Sequence, residues 1–227
     1  MVSFEHSWLE LDRQALRDNY LFLQKKLENK ILAPVLKSNA YGHGLAEVYE
    51  MISDLKPEFI CVNYLEEAKK LRSFGFKGRI LVVGPVCTQD IDHAYEFRAE
   101  LTLGSFSLLA FWLKLDAFKR PKLHLKFDTG MGRQGFSTAD TLKVYEKVCS
   151  HLSEIAGLST HFANVEDVTN TRYACEQLQK FSEVASCFKG QDLNEKNTHL
   201  LLHAASSASS LIFSKSSLDL ARTGISL

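Results

Sequence analysis

The chain reads as an α/β protein of the (β/α)8, TIM-type barrel class, truncated after strand eight. Three observations predict this: eight short apolar runs along 227 residues, segments of helical period between them, and glycines with reactive side chains gathered where the runs end. Strands that alternate with helices pair in parallel, and eight such units close a barrel whose chemistry lies on the loops after the strands. A doubly wound open sheet is the competing architecture. Barrels of about this size form one domain, so residues 1–227 are read as a single barrel domain.

The apolar runs are, in order, Ile31 to Leu36, Phe59 to Val62, Ile80 to Val83, Leu101 to Leu103, Leu123 to Phe127, Ile155 to Ser159, Leu200 to Leu202 and Leu218 to Ala221. Each is too brief for a helix and is bounded by turn chemistry, such as Ser38-Asn39 and Gly42 after the first. Leu16, Tyr20, Leu23 and Leu27 repeat at helical spacing before the first strand, and Leu65, Ala68 and Leu71 do so after the second. Leu142, Tyr145 and Val148 follow the fifth strand, and Leu178, Phe181 and Ala185 the sixth. The polar stretch from Lys189 to Asn197 is expected to be a surface loop. The chain stops at Ser226-Leu227, where a barrel still adds a closing helix, so a partial chain is expected.

Composition excludes several classes of function. Basic and acidic residues balance at 27 each, so no net field draws the chain to nucleic acid or to an acidic membrane surface. The N-terminus lacks a basic segment followed by an apolar core, and no run approaches the roughly 18 apolar residues of a membrane span. A soluble, cytoplasmic protein is expected. Cys61, Cys87, Cys149, Cys175 and Cys187 are odd in number and widely spaced, which suits reduced thiols, most of them core residues. No histidine or cysteine spacing suggests a metal site.

Lys37 ends the first apolar run and opens into a glycine-bracketed turn. Apolar walls there would desolvate the ammonium and lower its pKa, which makes a lysine nucleophilic enough to form an imine with an aldehyde cofactor. The alternative is a lysine snorkelling into solvent from a strand end. The barrel reading demands that other functional groups share this rim. Asp128 to Arg133 follows strand five, His161 strand six, His203 to Ser207 strand seven, and Arg222-Thr223-Gly224 strand eight. At the opposite ends, Lys56-Pro57, Gly78-Arg79 and Arg120-Pro121 read as ordinary turns.

Five blocks on this rim carry a resemblance. Lys37-Ser38-Asn39-Ala40-Tyr41-Gly42-His43-Gly44 and Asp128-Thr129-Gly130-Met131-Gly132-Arg133-Gln134-Gly135-Phe136 are similar to the two signature motifs of alanine racemases. Thr160-His161-Phe162-Ala163, His203-Ala204-Ala205-Ser206-Ser207 and Arg222-Thr223-Gly224-Ile225 continue the likeness in family order, over essentially the whole chain. The resemblance implies pyridoxal 5'-phosphate as cofactor, an imine to Lys37, and Lys37 as the base on one face of the substrate. It implies Arg222 at the pyridine nitrogen and a phosphate cradle of Tyr41, Ser207 and the amides of Gly224 and Ile225. It also implies Arg133 near the cofactor's phenolic oxygen and the substrate, His161 against the ring, and Lys126 as a carbamylated lysine that orients Arg133.

The implied activity is interconversion of L- and D-alanine for peptidoglycan, in a homodimer whose second, strand-rich domain supplies the opposite-face base. The 227 residues are therefore expected to be the barrel portion of a longer enzyme. Ser206 stands where the family usually has asparagine, Thr223 where it has proline, and Asn164-Val165-Glu166-Asp167 departs from the family's Ala-Asp pattern. A single-domain pyridoxal-phosphate carrier without turnover is the competing function. A decarboxylase or aldolase of the barrel class is disfavoured, since a decarboxylase more often sets an acid where Arg222 stands.

Overall fold

In the computed structural model, which describes residues 8–167, 169–190 and 200–227, short strands follow one another in parallel around a ring. They are β1 (Ile31–Pro34), β2 (Phe59–Val62), β3 (Arg79–Val82), β4 (Ala99–Leu103), β5 (Leu123–Asp128), β6 (Phe136–Ser137), β7 (Ile155–Ser159), β8 (Leu201–His203) and β9 (Leu220–Thr223). β6 is a two-residue strand paired only with the end of β5, absent from the sequence reading because so short a segment has no period. The others are the eight expected barrel strands, Phe59–Val62 and Ile155–Ser159 with the expected bounds and the rest shifted by one or two residues at their ends.

Continuous ladders run β2-β3-β4-β5-β7-β8, and β1 pairs with β9. Backbone bonds close the two seams. Leu36 N–H donates to Cys61 O at 2.8 Å beside a Val35–Cys61 bridge, and Asp219 N–H donates to Leu202 O at 2.9 Å. The Asp219 carboxylate also accepts the Leu202 N–H at 2.8 Å, which ties β8 to β9 where their ladder is missing.

Helices Arg13–Lys26, Leu45–Ile52, Leu65–Ser73, Thr88–His93, Phe106–Leu113, Thr141–Val148, Arg172–Gly190 and Ser207–Ile212 pack outside the strands. The first starts at Asp12, whose carboxylate accepts the N–H groups of Gln14 and Ala15. Thr88–His93 is too short for a periodic signal, and Phe106–Leu113 is apolar on nearly every side, so neither was expected from the sequence. Leu142 was placed on a buried face and is 57% exposed, because Thr141, Val144 and Val148 form that face instead. Arg172–Gly190 runs past the start of the predicted 189–197 loop, and the rest of that loop lies outside the described residues.

Alternation divides the barrel. Leu101 and Leu103 on β4, with Leu123, Leu125 and Phe127 on β5, face the helices and join the main core. Ala33, Val35, Phe59, Cys61, Leu81, Leu201 and Leu220 form a second apolar cluster from alternate positions of β1, β2, β3, β8 and β9. Between them, Glu100, Thr102, His124, Lys126, Ser159 and His203 are buried polar residues on alternate positions of β4, β5, β7 and β8. One side of the barrel interior is therefore polar.

Cys61 alone of the five thiols is buried; Cys87, Cys149 and Cys175 are exposed and Cys187 is intermediate. The expectation that most are core residues fails because Cys87, Cys149 and Cys175 sit at helix ends or on outer helix faces. No helix among the described residues is long and apolar enough to cross a membrane.

Candidate active site

The C-terminal mouth of the barrel encloses a cavity of about 890 Å3. Lys37, Tyr41, Lys126, Arg133, His161, Ser207, Arg222, Gly224 and Ile225 all line it, so every site residue singled out in the sequence shares one space.

Lys37 follows β1 after Val35 and Leu36, and it is half-buried. The chain then enters a left-handed turn: Ser38, Asn39, Ala40 and Tyr41 have φ between 54° and 56°, and Gly42 ends the turn at 93°. Such a conformation costs an L residue roughly 1–2 kcal/mol, so surrounding bonds must impose it. Buried Glu67 accepts from Asn39 N–H at 3.1 Å and Asn63 N–H at 2.7 Å, and Asn39 Oδ1 accepts from Leu45 N–H at 2.9 Å. The result folds Tyr41 back toward its lysine, with Lys37 Nζ 5.8 Å from the ring centre. His43 of the same motif turns away and bonds Ala40 O through Nδ1 at 2.8 Å.

After β5, Asp128 folds its loop by accepting from Gly130 N–H at 2.9 Å, Met131 N–H at 2.7 Å and Arg133 N–H at 3.0 Å. These bonds hold its carboxyl below the usual carboxylate range even though burial acts the other way. Tyr173 Oη donates to Gly130 O at 2.6 Å, anchoring the loop to helix Arg172–Gly190. Arg133 extends from the loop and is exposed.

Lys126 points into the barrel and is buried, its Nζ 3.4 Å from Gln134 Oε1. Burial, then the charges of Arg222 and Arg133, lowers its pKa to about 8. Ser159 stands beside it in register on β7, and the buried hydroxyls of Ser159 and Thr102 have no hydrogen-bond partner among the described residues.

Arg222 lies inside β9 rather than in the loop after it. Nη1 donates to His203 Nδ1 and to His203 O at 3.2 Å, and Nη2 donates to Thr160 O at 2.9 Å and Ala204 O at 3.4 Å. No bond to its Nε–H is found among the described residues, which leaves that donor for a ligand acceptor. Burial lowers Arg222 to about 10, still a cation at neutral pH. His161 Nδ1 is 3.4 Å from Arg222 Nη2. Burial first, then Arg222, Arg133, Lys126 and Lys37, pushes His161 down to about 3, so its ring is neutral.

At the rim, Ser207 Oγ accepts from Gly224 N–H at 2.9 Å and Ser226 N–H at 3.4 Å. Ser206, not Ser207, caps the following helix: its N–H donates to Ser209 Oγ at 2.6 Å. Ser207 is thereby the first helical residue, with its hydroxyl turned to the Gly224 loop.

Lys37, Lys126, Arg133 and Arg222 face one lining acid, Glu166. Such a cavity favours an anionic ligand. The desolvation cost of buried Lys126 and Arg222 would be relieved by an entering phosphate dianion or carboxylate.

Arg79, Glu100 and His124 of the polar interior are not singled out by the sequence, and His203 only as the start of a rim block. Glu100 Oε2 is 2.7 Å from His124 Nε2, and His124 Nδ1 is 2.7 Å from His203 Nε2. Arg79 grips Glu100 through two bonds of 2.5 and 2.8 Å. Alternation within Ala99-Glu100-Leu101-Thr102-Leu103 and Leu123-His124-Leu125-Lys126 was the available signal.

A closed parallel barrel with a lysine beyond its first strand and a cationic cavity at its C-terminal mouth defines a barrel domain shaped for an anionic ligand. Residues 11–227 match the family model described as alanine racemase, N-terminal domain, and the chain belongs to that family. It is 35% identical over 236 residues to an alanine racemase of Leptospira interrogans, covering 97% of this chain and 56% of that protein. It is also 35% identical over 226 residues to one of Listeria monocytogenes, covering 97% and 58%. An alanine racemase of Bacillus anthracis solved with bound L-Ala-P superposes with a TM-score of 0.84 at 29% identity, covering 99% of this chain and 58% of that one. The chain thus spans a little over half the length of the relatives it matches.

Proposed function

We propose that the chain is the coenzyme-binding barrel, residues 1–227, of a pyridoxal-phosphate-dependent alanine racemase. This is a cytoplasmic isomerase that interconverts L- and D-alanine for peptidoglycan precursors and acts as a homodimer in a longer protein. The observation that carries this reading is the convergence of four cations, Lys37, Lys126, Arg133 and Arg222, on one cavity at the barrel mouth.

Lys37 would hold the coenzyme through Nζ. Tyr41, Ser207 and the amides of Gly224 and Ile225 would take its phosphate, and the Arg222 Nε–H its ring nitrogen. The donor set fits, since it offers an amine for an aldehyde, hydroxyls and the Ile225 amide for a dianion, joined by the Gly224 N–H once Ser207 Oγ turns from it to donate, and a guanidinium N–H without a bond among the described residues for an acceptor nitrogen. When bound, the coenzyme supplies the electron sink for a carbanion at the substrate's α carbon. Arg222 acts as a permanent donor and so keeps the nitrogen it meets unprotonated. Lys37, which lines the cavity, would exchange the substrate's α proton on one face. His161 is neutral and adds no further charge. Arg133, on the same cavity wall, would meet the substrate, and Lys126, once carbamylated, would turn the charge near Arg133 from positive to negative.

Soaking the chain with pyridoxal phosphate, reducing with borohydride and mapping the label tests the coenzyme reading. The expected result is a yellow protein labelled on the Lys37 peptide; a colourless or randomly labelled protein overturns it. D-alanine formation by the longer protein separates racemase from carrier.

A further inference from the structure

We infer that Glu100 and Arg79, near the N-terminal end of the barrel, position Arg222 at its open end by locking His124 and His203 in a single tautomer. The inference rests on the coenzyme reading only for what Arg222 meets; the relay itself belongs to the empty chain.

The direction of every proton follows from the two ends. A guanidinium only donates, so Arg222 Nη1–H must point at His203 Nδ1, and that nitrogen must accept. A neutral His203 then carries its proton on Nε2, which donates to His124 Nδ1 at 2.7 Å. His124 in turn carries its proton on Nε2, which donates to Glu100 Oε2 at 2.7 Å. Glu100 accepts this bond together with both bonds from Arg79, so it ends the relay as a carboxylate. Reversing any one imidazole would set two donors or two acceptors face to face.

Charge supports the same order. Burial lowers both His124 and His203 below the usual histidine value, and Arg222 lowers His203 further. The rings are 0% and 1% exposed, so water cannot replace a lost partner. His124 stacks edge-on against Phe59, and the Arg79 guanidinium lies 4.2 Å from the Phe59 ring centre, which fixes the far end sterically. Glu100 and Arg79 are therefore positioning residues, acting on Arg222 through two imidazoles. Hydrogen bonds in series polarise one another, so the Glu100 charge strengthens the acceptor at His203 Nδ1.

Histidine-15N NMR of the chain without coenzyme tests this. Both His124 and His203 should be neutral Nε2–H tautomers across about pH 5 to 8; an Nδ1–H tautomer or a charged ring at either position overturns the relay. In Glu100→Gln, Arg222 still holds both rings as Nε2–H, but loss of the Glu100 charge weakens the acceptor at His203 Nδ1, so the His124 and His203 nitrogen signals and the Arg222 guanidinium N–H signals should all shift from their wild-type positions. A folded Glu100→Gln whose His203 signals stay at the wild-type values would reduce Glu100 to a structural role and sink the inference. Should that variant fail to fold, Arg79→Lys keeps the cation but loses the fork, and a smaller shift in the same direction is required at both rings. Failure of the wild-type chain to bind coenzyme would overturn the functional reading and leave these tautomer results standing.

Discussion

Tyr41 and Gly224 meet across the cavity rim so closely that a Cβ on Gly224 would lie 2.1 Å from Tyr41 Oη. The contact joins the left-handed turn after β1 to the loop after β9, the two neighbouring strands of the barrel. Tyr41 is part-exposed and can swing away, so Gly224→Ala should fold normally while expelling the hydroxyl from the rim. If Tyr41 Oη holds the coenzyme phosphate, losing one such bond should weaken coenzyme binding about tenfold. Fluorescence titration with pyridoxal phosphate, alongside an unchanged melting temperature, checks it.

Lys126 is the candidate for carbamylation because three conditions coincide. Its pKa of about 8 leaves a neutral amine fraction whose lone pair can attack carbon dioxide and then release a proton to give the carbamate, and it is buried from water. The partnerless hydroxyls of Thr102 and Ser159 line the same cavity as donors for a carbamate. Incubation with 13C-bicarbonate should give one slowly exchanging carbamate carbon resonance, absent from Lys126→Ala. A wild-type spectrum without it removes the modification.

What the sequence made legible was set by position along the strand. Residues at strand ends, from Lys37 to Arg222, could be assigned to one rim because a barrel delivers every such end to one face. The partners of Glu100, His124 and His203 could not be assigned, since each contact joins two different strands, between residues 19 to 79 apart. The left-handed turn was hidden for a different reason. Ser38, Asn39, Ala40 and Tyr41 have no glycine among them, and the bonds to Glu67 that impose the conformation come from a distant helix. Thr88–His93 and Phe106–Leu113 were missed because one is too short and the other too uniformly apolar to show a helical period.

Arg72 carries more of the fold than its place on an outer helix suggests. Its guanidinium donates to Phe97 O, Phe76 O and Gly78 O at 2.8 Å each and to Arg98 O at 3.1 Å. These carbonyls belong to the turns that enter β3 and β4. Arg72→Ala strands them together and should lower stability on the order of 3 kcal/mol, a fall in melting temperature of about 10 °C. Arg72→Lys cannot reproduce the fork and should recover less than half. Calorimetry on the three proteins decides it.

Acid should unfold the chain in two stages. His124, His203 and His161 are all lowered by burial, so the unfolded chain binds protons at these positions that the folded chain refuses. Their contribution is complete above the ordinary value of 6.5 and is lost as pH falls below it. Glu100 behaves as a depressed carboxylate: its bonds to His124 and Arg79 outweigh burial and set it at about 2 against 4.5 unfolded. That contribution, on the order of 3 kcal/mol, is present above pH 4.5 and drains away as pH falls toward 2. Urea midpoints at neutral pH, between the two stages, and near pH 3 should therefore fall twice in the wild type. In Glu100→Gln the first fall should persist and the second should shrink, from a lower midpoint at neutral pH because a buried charged pair has lost one member. An unchanged second fall in that variant would mean that Glu100 is not the group titrating there.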